Sequence, residues 1–109
     1  MSAKKPQDGD LRVWWVPQVP MTAFEVDVPD LKTAPIILDT LAHYDAFQFE
    51  NNVKGDYCNT GGLQQYDGEE GQWWDWECSL TFDSFDEVRA NPLLLAQAEE
   101  ARAAKAGAA

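Results

Sequence analysis

Two pairs of adjacent tryptophans, Trp14-Trp15 and Trp73-Trp74, constrain this chain more than any other feature of its sequence. Both pairs sit in runs of strand-forming residues, and neighbours on a strand point to opposite faces of their sheet. Each pair therefore puts one indole on either side. A chain of 109 residues has room for a single core, so both faces of the sheet cannot be that core. One ring of each pair is expected on the open face, with a self-association interface or the C-terminal helix as the alternative cover.

The runs around these pairs define a mainly antiparallel α+β domain. The stretch from Leu11 to Val16, rich in β-branched and aromatic residues and closed by Pro17, reads as a first strand. In residues 23–28, Phe24, Val26 and Val28 alternate with Glu25 and Asp27, a period of two that predicts a second strand. Ile37, Leu38, Leu41 and Tyr44 then follow helical spacing over residues 34–44, with Pro35 tolerated in the first turn and Thr33 as candidate N-cap. The alternation in residues 46–50 predicts a third strand with Phe47 and Phe49 facing the core. Residues 63–66 and 72–78 flank Asp67-Gly68-Glu69-Glu70-Gly71, a hairpin turn, giving strands four and five. In the fifth, Trp74, Trp76 and Cys78 share one face and Trp73, Asp75 and Glu77 the other.

Two helix starts close the chain. Ser84 precedes Glu87 by three residues, the spacing of a capping box, and Asn91-Pro92 opens an Ala-, Leu- and Glu-rich helix running to Lys105. The expected organisation is a flexible arm at 1–10, an α+β domain at 11–90 with about five strands on one amphipathic helix, and a C-terminal helix at 91–109.

Charge narrows the function. Eight Lys and Arg against nineteen Asp and Glu give a net charge of −11, and residues 25–87 hold fifteen acids but only two bases, Lys32 and Lys54. Such a surface opposes direct contact with nucleic-acid phosphates and serves either solubility or recognition of a basic partner. No apolar window reaches membrane-spanning length and no leader-like segment opens the chain, so a cytoplasmic protein away from membranes is expected.

Chemistry finds little support. Cys58 and Cys78 lack zinc-ligand spacing, and His43 is the single histidine, which argues against a structural metal. The acids of the hairpin have no Lys or Arg nearby to stabilise a transition state. His43 with Cys58 lacks a third orienting group, and Gly61-Gly62 is followed by no Lys-Ser/Thr pair, so it reads as a turn rather than a phosphate loop. Neither an enzyme nor a cofactor is expected.

The run Arg12-Val13-Trp14-Trp15-Val16-Pro17-Gln18-Val19-Pro20, with Leu38-Asp39-Thr40-Leu41-Ala42, Phe47-Gln48-Phe49-Glu50-Asn51 and Asn59-Thr60-Gly61-Gly62-Leu63, resembles small acidic proteins encoded in bacteriophage genomes. The likeness spans about residues 11–78 and brings no functional motif with it. It implies an accessory factor, active in the infected cell, that binds and inhibits a host protein, in some cases by imitating the charge of DNA. The residues expected to meet a basic-surfaced host protein are Asp67, Glu69, Glu70, Asp75 and Glu77, with Trp15 and Trp73 supplying affinity. A second reading is a nucleotide or sugar binder in which Trp14 or Trp15 stacks a flat ring and Asn51, Asn52, Lys54, Tyr57 and Asn59 donate or accept from the long loop. A third is a subunit of a homo-oligomer.

Overall fold

The computed structural model describes residues 5–17, 21–51 and 59–108, with side chains through Lys105. Its elements run β1 (Leu11–Val16), β2 (Phe24–Val28), α1 (Thr33–Glu50), β3 (Thr60–Asp67), β4 (Gln72–Asp75), α2 (Phe85–Arg89) and α3 (Pro92–Ala108). Among the described residues the strands form a four-stranded antiparallel sheet in the order β2-β1-β3-β4, so the architecture is α+β with a C-terminal helix.

Strand alternation decides what each face carries. Leu11, Val13 and Trp15 of β1, Val28 of β2 and Leu63 of β3 turn to one side and are buried with Leu31, Ala34 and Leu38 at the base and along α1. Trp76, Cys78, Phe85, Val88 and Ala98 extend this core beneath α2 and α3. Covering is incomplete at the edge: Val28 is buried and Val26 half-buried, but Phe24, two positions further along the same face, is 52% exposed.

The sheet has four strands rather than five because residues 46–50 continue α1. A period of two over five residues is weak evidence against a helix already under way, where each further residue adds a hydrogen bond without a new nucleation cost. No Gly or Pro interrupts the run, and the helix ends only at Asn51, whose backbone N–H and side-chain amide both donate to the Phe47 carbonyl. Phe47 and Phe49 are consequently exposed rather than in the core. The strand expected at 72–78 keeps its regular ladder as far as Asp75, after which the Trp76 amide donates once more to the Leu63 carbonyl and Glu77 makes an isolated bridge to Ser84. Thr33 is the first helical residue rather than a cap. The Asp30 carboxylate performs that service by accepting from the Thr33 amide at 2.8 Å and its hydroxyl at 2.7 Å.

The other local signals translate directly. Ser84 Oγ accepts from the Glu87 amide and Asn91 Oδ1 from the Leu94 amide, so α2 and α3 start where their capping residues stand. Between β4 and α2, Phe82 adopts φ 61° while its amide donates to the Cys78 carbonyl, a left-handed conformation that costs a bulky residue about 1–2 kcal/mol.

The Trp14-Trp15 pair explains the Gly61-Gly62 pair. In the β1–β3 register Trp14 lies opposite Gly62 and Trp15 opposite Gly61. A Cβ at Gly61 would overlap Trp15 Cε3, and one at Gly62 would stand 2.8 Å from Trp14 Nε1. Each indole thus lies across a glycine, one on either face of the same sheet. The expected turn at Gly61-Gly62 is instead strand.

A candidate acidic and aromatic cleft

The β3–β4 hairpin builds the site. Asp67 ends β3 by accepting from the Glu69 and Glu70 amides at 2.9 and 3.1 Å, and Gly71, at φ 66°, donates to the Asp67 carbonyl. This fixes Glu69 beside Asp67 in a tight turn. Residues expected as a loose arm are tied to the same hairpin: Gly9 donates to the Tyr66 carbonyl, Tyr66 to the Asp10 carbonyl, and Gly68 to the Asp8 carboxylate.

The result is a cleft of about 450 Å³ between the hairpin, the 8–10 segment and the end of α3. Among the described residues five carboxylates line it, those of Asp8, Asp67, Glu69, Asp75 and Glu77, against one cation, Lys105. Trp74 contributes an indole that is half exposed, while Trp76 beside it is buried edge-on against Phe85. Close carboxylates that outnumber the one cation, together with an exposed indole, can attract a cationic group and hold it by charge and cation–π contact together.

Four of the five acids expected at a partner surface, Asp67, Glu69, Asp75 and Glu77, are brought together here. Glu70 lies on the same turn, exposed, outside the lining. Trp15 is not available to a partner. It is buried, and its Nε1–H donates to the Asp45 carboxylate at 2.9 Å, so the outward ring of that pair is Trp14. Trp73 stands half-buried on the open face, where the Arg12 guanidinium lies 4.2 Å over its ring and Tyr66 meets it edge-on at 5.2 Å. Arg12 is itself held by Gln64 at 2.8 Å and by Glu25 at 3.1 Å, which makes this a braced patch of sheet beside the cleft.

Sequence reasoning missed Trp74 as a contact residue, because alternation set it on the face of Trp76 and Cys78, opposite Trp73, the ring expected to meet a partner. It does lie on that face, but at the edge strand, past the helices that would cover it. Asp8 and Lys105, distant in sequence, gave no signal.

The members of the small-ligand site that can be placed do not converge. Trp14 lies over Gly62 on the open face, whereas the Asn59 amide donates to Asp45 on the core side and the Asn51 side chain closes α1. Asn52, Lys54, Tyr57 and Cys58 lie outside the described residues. His43 is exposed on α1, while Cys78 is a free, fully buried thiol. Burial pushes that thiol upward, but hydrogen bonds from the Thr81 hydroxyl and the Leu80 and Thr81 amides outweigh it and leave it below the ordinary value. Among the described residues no group of three or more His, Cys, Asp or Glu side chains is placed to hold a metal ion, and no helix is long and apolar enough to cross a membrane.

Fold and cleft together define a small acidic α+β protein with a charged groove lined by aromatic residues. Residues 10–93 match the family model described as superinfection exclusion gene product 17, and the chain belongs to that family of phage-encoded proteins. Over 57 residues it is 54% identical to the superinfection exclusion protein of Salmonella phage P22, a match that covers 52% of this chain and 55% of that protein. The chain thus matches about half the length of this curated relative. No solved structure matches it. The phage resemblance seen in the sequence is thereby established.

Proposed function

We propose that the chain takes part in superinfection exclusion as a non-enzymatic binding protein in the cytoplasm of the infected cell, engaging a basic surface on a host protein through the β3–β4 cleft. One observation carries the reading: Asp67, Glu69, Asp75 and Glu77 converge on a single groove with a half-exposed indole, rather than spreading around the surface as solubilising charge would. The carboxylates steer a basic partner toward the groove, and Trp74 provides the apolar contact that charge alone lacks. The DNA-mimic form of this reading adds that the partner's surface ordinarily holds nucleic acid.

The test is capture of host proteins by the wild-type chain and by the Glu69→Lys/Glu77→Lys double variant, whose side chains are exposed and make folding insensitive to the change. The wild type is expected to retain a basic partner at moderate salt, the variant to lose it, and duplex DNA to compete. A partner retained equally by both chains would refute the cleft as the binding surface.

A further inference from the structure

A helix that packs on a sheet along one side needs an apolar stripe on that side alone, and α1 carries two. Ala34 and Leu38 are buried toward the core, with Ile37, Leu41 and Ala42 packed around them. On the other side Ile36, Thr40, Tyr44 and Phe47 follow at spacings of four, four and three residues, which keeps them in one line along a helix. Ile36, Tyr44 and Phe47 are 65%, 57% and 59% exposed.

The charges around this stripe differ from those of the rest of the chain. Asp39, at its border, is bridged to Arg89 at 2.6 Å. Glu50 closes the C-terminal end of α1, and Lys32 stands at the N-terminal end. A basic partner finds little here to recognise, whereas two copies of a chain with net charge −11 can approach without setting carboxylate against carboxylate.

We propose that the outer face of α1 pairs two copies of this chain, with the helices antiparallel about a two-fold axis between residues 41 and 42. The row completes itself under that symmetry: Ile36 of one copy meets Phe47 of the other, Thr40 meets His43 and Tyr44, and Lys32 comes beside Glu50. The cation at the start of each helix then faces the carboxylate at the end of its neighbour. Half-exposed aromatic rings each leave on the order of 100 Å² in water, and with Ile36, Thr40 and His43 the pair removes roughly 1,000 Å², the area at which specific interfaces begin. The surface is separate from the cleft and stands or falls independently of it.

Light scattering of the full chain at about 100 μM, where even a micromolar interface is close to saturated, is expected to read twice the 12.2 kDa chain mass. Phe47→Glu and Ile36→Glu, both at exposed positions, are expected to read a single mass with unchanged circular dichroism. Lys32→Glu is expected to weaken association about 2- to 10-fold, and Glu50→Lys in the same chain to restore it. A wild type of single mass overturns the proposal and leaves this face to another partner. A doubled mass that survives Phe47→Glu overturns it as well, because the copies then meet elsewhere, and a Lys32→Glu/Glu50→Lys chain no better than Lys32→Glu overturns the antiparallel register.

Discussion

Replacing Gly61 by Ala tests whether the two indoles and the two glycines specify each other. The new Cβ would overlap Trp15 Cε3 and stand 2.9 Å from Cζ3 and 2.8 Å from the Trp14 carbonyl oxygen. Neither neighbour has room to yield. Trp15 is buried with its Nε1–H fixed to Asp45, and the carbonyl belongs to the backbone of β1, paired on both sides. Overpacking of this kind costs about 1–3 kcal/mol, and the smaller entropy of the unfolded alanine chain offsets about 0.4–1 kcal/mol of it. The midpoints of these ranges leave a net loss of about 1.3 kcal/mol, which lowers Tm by roughly 5–10 °C in a domain of this size. Gly62→Ala provides the internal control: the three atoms nearest its Cβ all belong to the Trp14 indole, the first at 2.8 Å, and that half-buried ring on the open face can swing outward. Urea unfolding followed by far-ultraviolet circular dichroism, which does not depend on indole fluorescence, gives both midpoints. A Gly61→Ala chain as stable as the wild type, or a Gly62→Ala chain that loses more, would refute the reasoning.

Two further outcomes are expected. Asp45→Ala removes the acceptor of the Trp15 indole N–H and of the Asn59 amide, and is expected to cost at least about 1–3 kcal/mol; an unchanged urea midpoint would refute the anchoring of α1 to the sheet through this carboxylate. Hydrogen bonds from the Thr33 hydroxyl and amide, assisted by the Arg102 charge, hold Asp30 below its ordinary value of 3.8. A carboxyl lowered by folding stabilises the native state above its unfolded pKa, and that contribution disappears as pH falls through the folded value. Thermal melts are therefore expected to lose more between pH 5 and about pH 3 for the wild type than for Asp30→Asn, whose amide oxygen still accepts from Thr33 but does not titrate. Parallel losses in the two chains would assign the acid sensitivity to other groups.

Strands β1 and β2, the β3–β4 hairpin turn and the caps of α2 and α3 were legible in the sequence because each rests on contacts within a few residues: alternation in Phe24–Val28, the Asp67 turn, Ser84 before Glu87, Asn91 before Pro92. The end of α1 was not. Phe47 and Phe49 alternate as a strand would, and only the continuing helix, with Asp45 fixed under Trp15 and Asn51 closing the last turn, decides against it.

The candidate site divides along the same line. Sequence alone placed Asp67, Glu69, Asp75 and Glu77 on one hairpin, since a turn of a few residues brings its flanks together whatever surrounds it. It also required an outward ring from Trp14-Trp15 and from Trp73-Trp74, because adjacent strand residues cannot share a face. Which ring goes in is a property of the packed molecule: α1 lies on one side of the sheet, so Trp15 finds Asp45 there and Trp14 is left outside, while β4 at the edge leaves Trp74 half uncovered on the core side. Alternation fixes relative directions along a strand. Only the long-range arrangement of helix, sheet edge and chain termini fixes which direction is solvent, and which acids from residues 8 and 67–77 share one groove with Lys105.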